Sequence, residues 1–389
     1  MARHEKEKAF QKHIYDYLIN NHKYTQLNQT IDIANDECYI AKELLLEFIS
    51  STQETKLKAL QKDYGKDSGD EIISALKDEL NIKPLWKIMR DGLSVRKHEF
   101  KLFFPKPRSN TTDKSQKLYE QNSIKIKDEL VIKGDKRIDI VLYLNGLPII
   151  TMELKHEDAG QYLEDAVLQY TKRNHKDKIY QLPFLHIALD TSEVKVATNP
   201  SSESNFLWFN QDLENKQITE GEYPVEYMYK EVLSFDSILS YLSFYLVYVP
   251  RSEKNEAFSI FPRYHQIRST NRLYDDILNN FKTTNSVAGK YLINHSAGSG
   301  KTLTMSWTAD KLHSLYKDSE NKAFDMIFLL TDRKSLDKNI SDELGNFTHL
   351  KDVVKYAKNG ENLKKLIQEK SSIIVSTAQK FNIITEELK

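Results

Sequence analysis

Apolar residues recur at helical spacing near the start of the chain. Phe10, Ile14, Tyr17 and Leu18 fall on one side of residues 5–21 and predict an amphipathic helix there. Helical patterning continues to about Leu80. Over 92–104 apolar and charged positions alternate as in a strand, and 105–112 (PKPRSNTT) has the composition of a loop. The two-residue period is clearest in 138–144 and 147–155, two β-rich runs joined by Asn145-Gly146, the dipeptide of tight hairpins. A helix is predicted from about Asp158 to Arg173, strands over 182–189 and 194–197, and an apolar helix over 236–247. The polar stretch 251–256 then marks a boundary, dividing the chain into domains 1–255 and 256–389. Beyond it, short apolar runs at 291–294, 325–331 and 372–377 alternate with helical segments, the pattern of a parallel α/β sheet. No internal repeat is evident.

Composition narrows the classes. A chain of 389 residues has room for two domains, and 40% hydrophobic residues suffice for real cores. Cys38 is the single cysteine, which excludes a disulfide framework and a Cys-rich zinc site and fits a reducing compartment. The first eight residues carry charges of both signs without a signal-peptide core, and no apolar run is long enough to cross a bilayer, so a cytoplasmic protein is expected. Lys and Arg balance Asp and Glu at 56 each, which argues against a protein that coats DNA by itself. Basic residues do cluster locally, at 133–137 and 172–176, and a partner subunit is the other way to grip DNA.

The strongest motif is His295-Ser-Ala-Gly298-Ser299-Gly300-Lys301-Thr302, between a predicted strand and a helical run over 303–315. Small residues let backbone N–H groups converge on phosphates at a helix N-terminus. Lys301 is expected to reach the β- and γ-phosphates of ATP, and the Thr302 hydroxyl to ligate Mg²⁺. His295 stands where the usual pattern has its first glycine, a departure that motors of the superfamily 2 helicase type tolerate. Upstream, 261–266 (FPRYHQ) resembles the adenine-reading segment of such motors, with Gln266 as the amide that would pair with the base; an ordinary surface glutamine is the alternative. Downstream, 330–334 and 376–381 end strands and resemble segments that touch the DNA backbone. Asp332 is alternatively a Walker-B acid. If it is not, the acidic pair that activates water is absent, and the chain reads as a piece of a longer protein with feeble ATP turnover.

The second constellation is Asp139, Glu153 and Lys155 on the predicted hairpin. Cleavage of a phosphodiester with Mg²⁺ needs clustered carboxylates and commonly a lysine near the attacking water. Alternation leaves Asp139 on one side of the first strand and Thr151, Glu153 and Lys155 on one side of the second. A strict two-residue turn would pair Asp139 with Met152; one bulged residue restores the grouping, with Gly146 as the candidate. An exposed acid-x-lysine strand face is the bland alternative. These residues resemble the PD-(D/E)xK pattern of RecB-like nucleases. On that resemblance Gln169 is an orienting group, no role is fixed for Tyr170 or for Arg173, which stands where the pattern usually has tyrosine, and Glu7 is an additional helix acid, a solvated helix glutamate being the alternative.

Over essentially its full length the chain resembles the R (restriction and translocation) subunits of type I restriction enzymes, through 7–10, 142–148 with 153–155, 261–266, 295–302, 331–336 and 377–381. The resemblance implies an α/β protein with a RecB-like nuclease domain followed by part of a RecA-like P-loop motor lobe. It implies double-stranded DNA as substrate, Mg²⁺ and ATP as cofactors, and methyltransferase (M) and specificity (S) subunits as partners. Three rivals stay open: a DNA repair helicase-nuclease without a methyltransferase, a non-catalytic assembly module with a relic nuclease site, and a P-loop enzyme acting on a small substrate.

Overall fold

A computed structural model describes residues 3–33, 36–65, 68–107, 113–134, 136–211, 222–253, 256–284, 289–317, 321–331 and 353–381. The chain divides into two compact units, Met1–Lys106 with Asp113–Ser243, and Pro107–Thr112 with Phe244–Lys389.

In the first unit the helices are α1 (Arg3–His22), α2 (Lys42–Tyr64), α3 (Ser68–Glu79), α4 (Leu85–Asp91), α5 (Asp113–Glu120), α6 (Leu163–Thr171) and α7 (Phe235–Ser240). A seven-stranded sheet runs β1 (Thr25–Gln26), β4 (Ile124–Ile132), β5 (Lys136–Leu144), β6 (Leu147–Leu154), β7 (Leu185–Leu189), β8 (Val194–Ala197) and β9 (Leu207–Trp208), and β2 (Leu93–Val95) with β3 (His98–Phe100) forms a separate hairpin. The sheet is mixed: β1 pairs with β4 and β6 with β7 in parallel, and the remaining neighbours are antiparallel. Parallel β6 and β7 need a crossover, and α6 supplies it. That crossover lays α6 against the strand that carries Glu153.

Helix α1 forms where the spacing predicts it, with Phe10, Ile14 and Leu18 fully buried. Its Gln11 amide donates to the backbone carbonyl of Asp139 at 2.8 Å, which ties α1 to β5. Helix α6 begins later than the expected Asp158. Gly160 is left-handed (φ 70°), and it separates a 3-10 turn, Glu157–Ala159, from the helix proper. The N-terminus of α6 is held by carboxylates: Asp165 accepts from the Tyr162 N–H (2.9 Å) and Asp190 from the Leu163 N–H (2.8 Å).

The hairpin β5–β6 turns through Asn145 (φ 52°) and Gly146 (φ 84°), two left-handed residues as a type I′ turn requires. The extra residue lies elsewhere than expected. Leu142 pairs with Ile150 and Tyr143 with Pro148, so Ile149 is the bulge. Pro148 has no N–H to give the ladder, and the Ile149 carbonyl instead accepts from Phe184 at 3.0 Å. Gly146 is held in the turn, its carbonyl accepting from the Ala41 N–H at 2.9 Å just ahead of α2, and a Cβ there would lie 2.4 Å from the Ala41 carbonyl oxygen.

The second unit holds β10 (Val247–Val249), β11 (Phe258–Ile260), α8 (Tyr264–Thr284), α9 (Lys301–His313), β12 (Ile327–Thr331), β13 (Val354–Tyr356), α10 (Gly360–Gln368) and β14 (Ile373–Thr377). The apolar helix expected over 236–247 forms over 235–245, α-helical to Ser240 and π-helical beyond it. After α7 a π-turn covers Tyr241–Tyr245, and Val247–Val249 pairs with β11 across the polar stretch that reads as a boundary in the sequence. Aromatic and β-branched residues favour that extended pairing over a longer helix. Strands β12, β14 and β13 form a parallel sheet in that order. The strand expected at 291–294 is not formed: the described residues 289–300 hold no strand, and Leu292 is 94% exposed. Among the described residues β12 pairs with β14 alone, so this apolar run has no ladder to join.

Candidate functional site

Bulged Ile149 changes what the hairpin presents. Ile140 stands opposite Met152, so continuing the register sets Asp139 opposite Glu153. The two acids and Lys155 therefore share a side of the ribbon, but it is not the solvated face of the bland reading. Glu153 is fully buried, Lys155 is 6% exposed and Thr151 is fully buried. Parallel pairing with β7 on the far side of β6, and α1 and α6 packed over it, close this face.

Each group is held. Asp139 accepts the Leu154 N–H at 2.7 Å. One oxygen of Glu153 accepts from the Gln169 amide at 2.5 Å, and the other lies 3.5 Å from the guanidinium of Arg173. Lys155 Nζ meets Glu7 at 3.4 Å, so α1 delivers its acid to the same centre. The predicted residues Glu7, Asp139, Glu153, Lys155 and Gln169 are thus brought together from α1, β5, β6 and α6.

Burial dominates the electrostatics. It pushes the Asp139 carboxyl up to about 6, against the pull of the Leu154 N–H and Lys155. Glu153 is raised well above the ordinary carboxylate range, first by burial and then by the charge of Asp139, with Arg173 and Lys155 opposing. Two facing carboxylates in this state invite a cation. Among the described residues no three His, Cys, Asp or Glu side chains converge on one point. The donor set is a carboxylate pair with Glu7 beyond Lys155, which suits a hard divalent ion that keeps much of its water, as Mg²⁺ does with one or two carboxylates.

Sequence reasoning left Arg173 and Tyr170 without a role and missed His186. Arg173 follows Gln169 by one helical turn, a spacing that puts both over Glu153. Beside the acids, on the same face of β6, the Thr151 hydroxyl bridges the Tyr170 hydroxyl (2.8 Å) and His186 Nδ1 (2.7 Å), a fully buried polar cluster. Burial holds the His186 ring neutral, down to about 3. Only the pairing of β6 with β7, Thr151 opposite His186, brings that histidine here.

In the second unit the 295–302 loop leads into α9, with Gly300 left-handed (φ 79°) at its N-cap. Lys301 Nζ folds back onto the carbonyls of Ser296 (2.8 Å) and His295 (3.2 Å). Gln266, 3% exposed, donates to Gly300 (3.0 Å) and Ser299 (3.3 Å) and accepts from the Arg263 N–H (2.8 Å). Its amide is engaged by the loop backbone instead of pointing outward as a base reader. His295 packs edge-on against His265, ring centroids 4.8 Å apart, and His265 itself lies 3.2 Å from the Ser299 carbonyl. That contact gives the position a packing use for an imidazole where glycine is usual. An apolar groove of about 320 Å³ runs beside the loop, lined by Ile293, Met305, Leu312 and Phe328 among others. Thr331, Ser376 and Thr377, offered by the sequence as DNA-backbone contacts, are buried. Asp332 and the rest of 332–336 lie outside the described residues.

Among the described residues no helix is long and apolar enough to cross a membrane. Residues 265–389 match the SWI2/SNF2 ATPase family. The chain is 26% identical over 272 residues to the endonuclease subunit of the type I restriction enzyme HindI of Haemophilus influenzae, covering 66% of this chain and 24% of the relative. It is 24% identical over 378 residues to the endonuclease subunit of the type I restriction enzyme SauCOLORF180P of Staphylococcus aureus, covering 94% of this chain and 37% of the relative. The chain thus spans between about a quarter and somewhat over a third of these curated relatives. Residues 4–205, more than half of the sequence and the part that holds the carboxylate centre, match the family of the type I restriction enzyme R protein N terminus, and to that family the chain belongs.

Proposed function

We propose that the first unit is a Mg²⁺-dependent DNA endonuclease of the PD-(D/E)xK type. The second is the opening part of a RecA-like, superfamily 2 motor that moves double-stranded DNA with ATP. In this reading the chain is the N-terminal portion of the restriction subunit of a type I restriction-modification enzyme, working in the cytoplasm with methyltransferase and specificity subunits. The observation that carries it is the buried pair Asp139 and Glu153, facing each other across the bulged hairpin with Lys155 two residues on.

Asp139 and Glu153 would hold the metal, which supplies positive charge to the scissile phosphate and an acidified water. Lys155, steadied by Glu7, is the group that orients and polarises the attacking water. Gln169 fixes one Glu153 oxygen so that the carboxylate does not rotate between geometries. In the motor part the backbone N–H groups of Gly298, Ser299 and Gly300, with Lys301, bind the phosphates of ATP, and Thr302 contributes its hydroxyl to the accompanying Mg²⁺. Gln266 acts on the loop by bracing its last two carbonyls.

The test is cleavage by full-length protein reconstituted with its methyltransferase and specificity subunits. Asp139→Ala and Lys155→Ala are expected to abolish cutting while ATP hydrolysis by the complex continues. A second reading, an assembly module with a relic site, draws on the engagement of both Glu153 oxygens by Gln169 and Arg173. Undiminished cutting by either variant would establish that reading.

A further inference from the structure

We propose that Arg173 is a resident counter-charge of the carboxylate centre, competing with the divalent ion for Glu153 and so setting how much metal the centre needs. The proposal rests on the metal reading of that centre. Arg173 lies just beyond α6, and its guanidinium reaches residues of β5 and β6. Nη2 donates to the Arg137 carbonyl at 2.7 Å and stands 3.5 Å from Glu153 Oε1. Both partners are withdrawn from water, the arginine side chain 11% exposed and the glutamate side chain fully buried.

Three features make this pair a competitor and not a surface ornament. A guanidinium stays protonated at any working pH, so its charge cannot be shed when a metal approaches. The neutral Arg137 carbonyl anchors the group, and its Nε meets no hydrogen-bond partner among the described residues, so Glu153 is the one carboxylate the guanidinium pairs with among them. Lys155, the other cation of the centre, is already paired with Glu7. At this separation and burial a unit charge weighs heavily on a neighbour. A metal ion arriving at Glu153 must share the carboxylate with a cation that does not leave. The nuclease pattern usually has tyrosine four residues after its glutamine. In this chain arginine adds one positive charge to the same set of acids.

The experiment is Mn²⁺ titration followed by calorimetry, alongside thermal unfolding with EDTA and with Mn²⁺, on the full chain and on Arg173→Gln, Arg173→Tyr and Arg173→Lys. The neutral variants are expected to unfold at lower temperature in EDTA yet to bind Mn²⁺ more tightly, on the order of tenfold. Arg173→Lys is expected to stay within about twofold of the parent by the same charge argument. Arg173→Tyr restores the usual residue and keeps the comparison available if Arg173→Gln does not fold. Unchanged or weaker Mn²⁺ binding by the neutral variants, with the parent binding normally, overturns the competition. A folded parent that binds no Mn²⁺ overturns the metal reading and the competition together.

Discussion

The two candidate centres are built on opposite plans. The carboxylate centre in the first unit draws on α1, β5, β6 and α6, and its key acid has no solvent exposure. The phosphate loop in the second unit is one contiguous stretch braced by α8, with Gly298 and Lys301 exposed and an apolar run before it open to solvent. On the proposed reading the first would work through side-chain charges that burial has raised in energy, the second through backbone groups and one exposed cation. A centre of the first kind is unforgiving of changes in charge and of changes in how its strands meet. A centre of the second kind tolerates substitution around it and depends on loop shape.

Deleting a charge from the first centre should therefore have the largest effect. Asp139→Ala removes a proposed metal ligand, and the loss of several kcal/mol of transition-state stabilisation corresponds to at least about a thousandfold in the cleavage rate. Single-turnover cutting by the reconstituted complex measures it. A fall of less than about tenfold would mean that this carboxylate is not a ligand.

The next largest effect tests how the strands meet, without touching a charge. Gly146 has φ 84°, and a Cβ there would sit 2.4 Å from the Ala41 carbonyl oxygen. Gly146→Ala thus combines left-handed strain with a backbone clash, and a destabilisation of about 3 kcal/mol is expected. Denaturant unfolding of the first unit reads it. A loss below about 0.5 kcal/mol, the range of neutral surface changes, would show that the turn does not pin the hairpin to the start of α2.

These two residues also show what the sequence makes legible. Alternation and the Asn-Gly pair are enough to expect the hairpin, its candidate acids and an extra residue in the ribbon, because period and turn chemistry are local. They do not locate the bulge, since Ile149 takes it for reasons that lie outside the hairpin: the Phe184 N–H that bonds its carbonyl and the Ala41 N–H that holds the Gly146 carbonyl. Burial of Glu153 is equally hidden, because alternation alone cannot reveal that a strand is covered on both faces. In the second unit the motif 295–302 is readable from residue types alone, whereas the strand before it is not formed, since ladder pairing depends on a neighbour that 291–294 does not find among the described residues. His186 gives no local signal at all. It reaches the centre through strand pairing.

That histidine gives a pH test of the buried plan. Its ring is held neutral, down to about 3 against an ordinary value of 6.5, chiefly by burial with a further contribution from His175. Below pH 6.5 the unfolded chain takes up a proton that the folded chain refuses, so stability falls as pH drops from 6.5 toward 3. The slope from one such group is about 1.4 kcal/mol per pH unit, or about 2 kcal/mol between pH 6.5 and 5. His186→Gln is expected to start from lower stability at pH 7 but to lose less on acidification by that amount. Parallel stability profiles for the two proteins would show that the histidine protonates in the fold.

The smallest expected effect belongs to the open plan. Gln266 offers one amide to three backbone groups, the Arg263 N–H and the carbonyls of Ser299 and Gly300, and so joins the start of α8 to the point where the loop becomes α9. None of these groups is charged, and the loop stays anchored at its other end by Ser299 donating to the Ser296 carbonyl. Removing the amide with Gln266→Ala forfeits neutral hydrogen bonds worth about 1 kcal/mol in net terms, which as a binding effect is about fivefold. A fluorescent ATP analogue titrated into the full chain, with Lys301→Ala as the reference for loss of a direct phosphate contact, separates bracing from contact. If Gln266 only braces the loop, its variant weakens ATP and GTP analogues alike. If instead the amide swings out to read the base, the variant loses affinity for adenine nucleotides alone, and the hydrogen bonds that now occupy it are a resting arrangement.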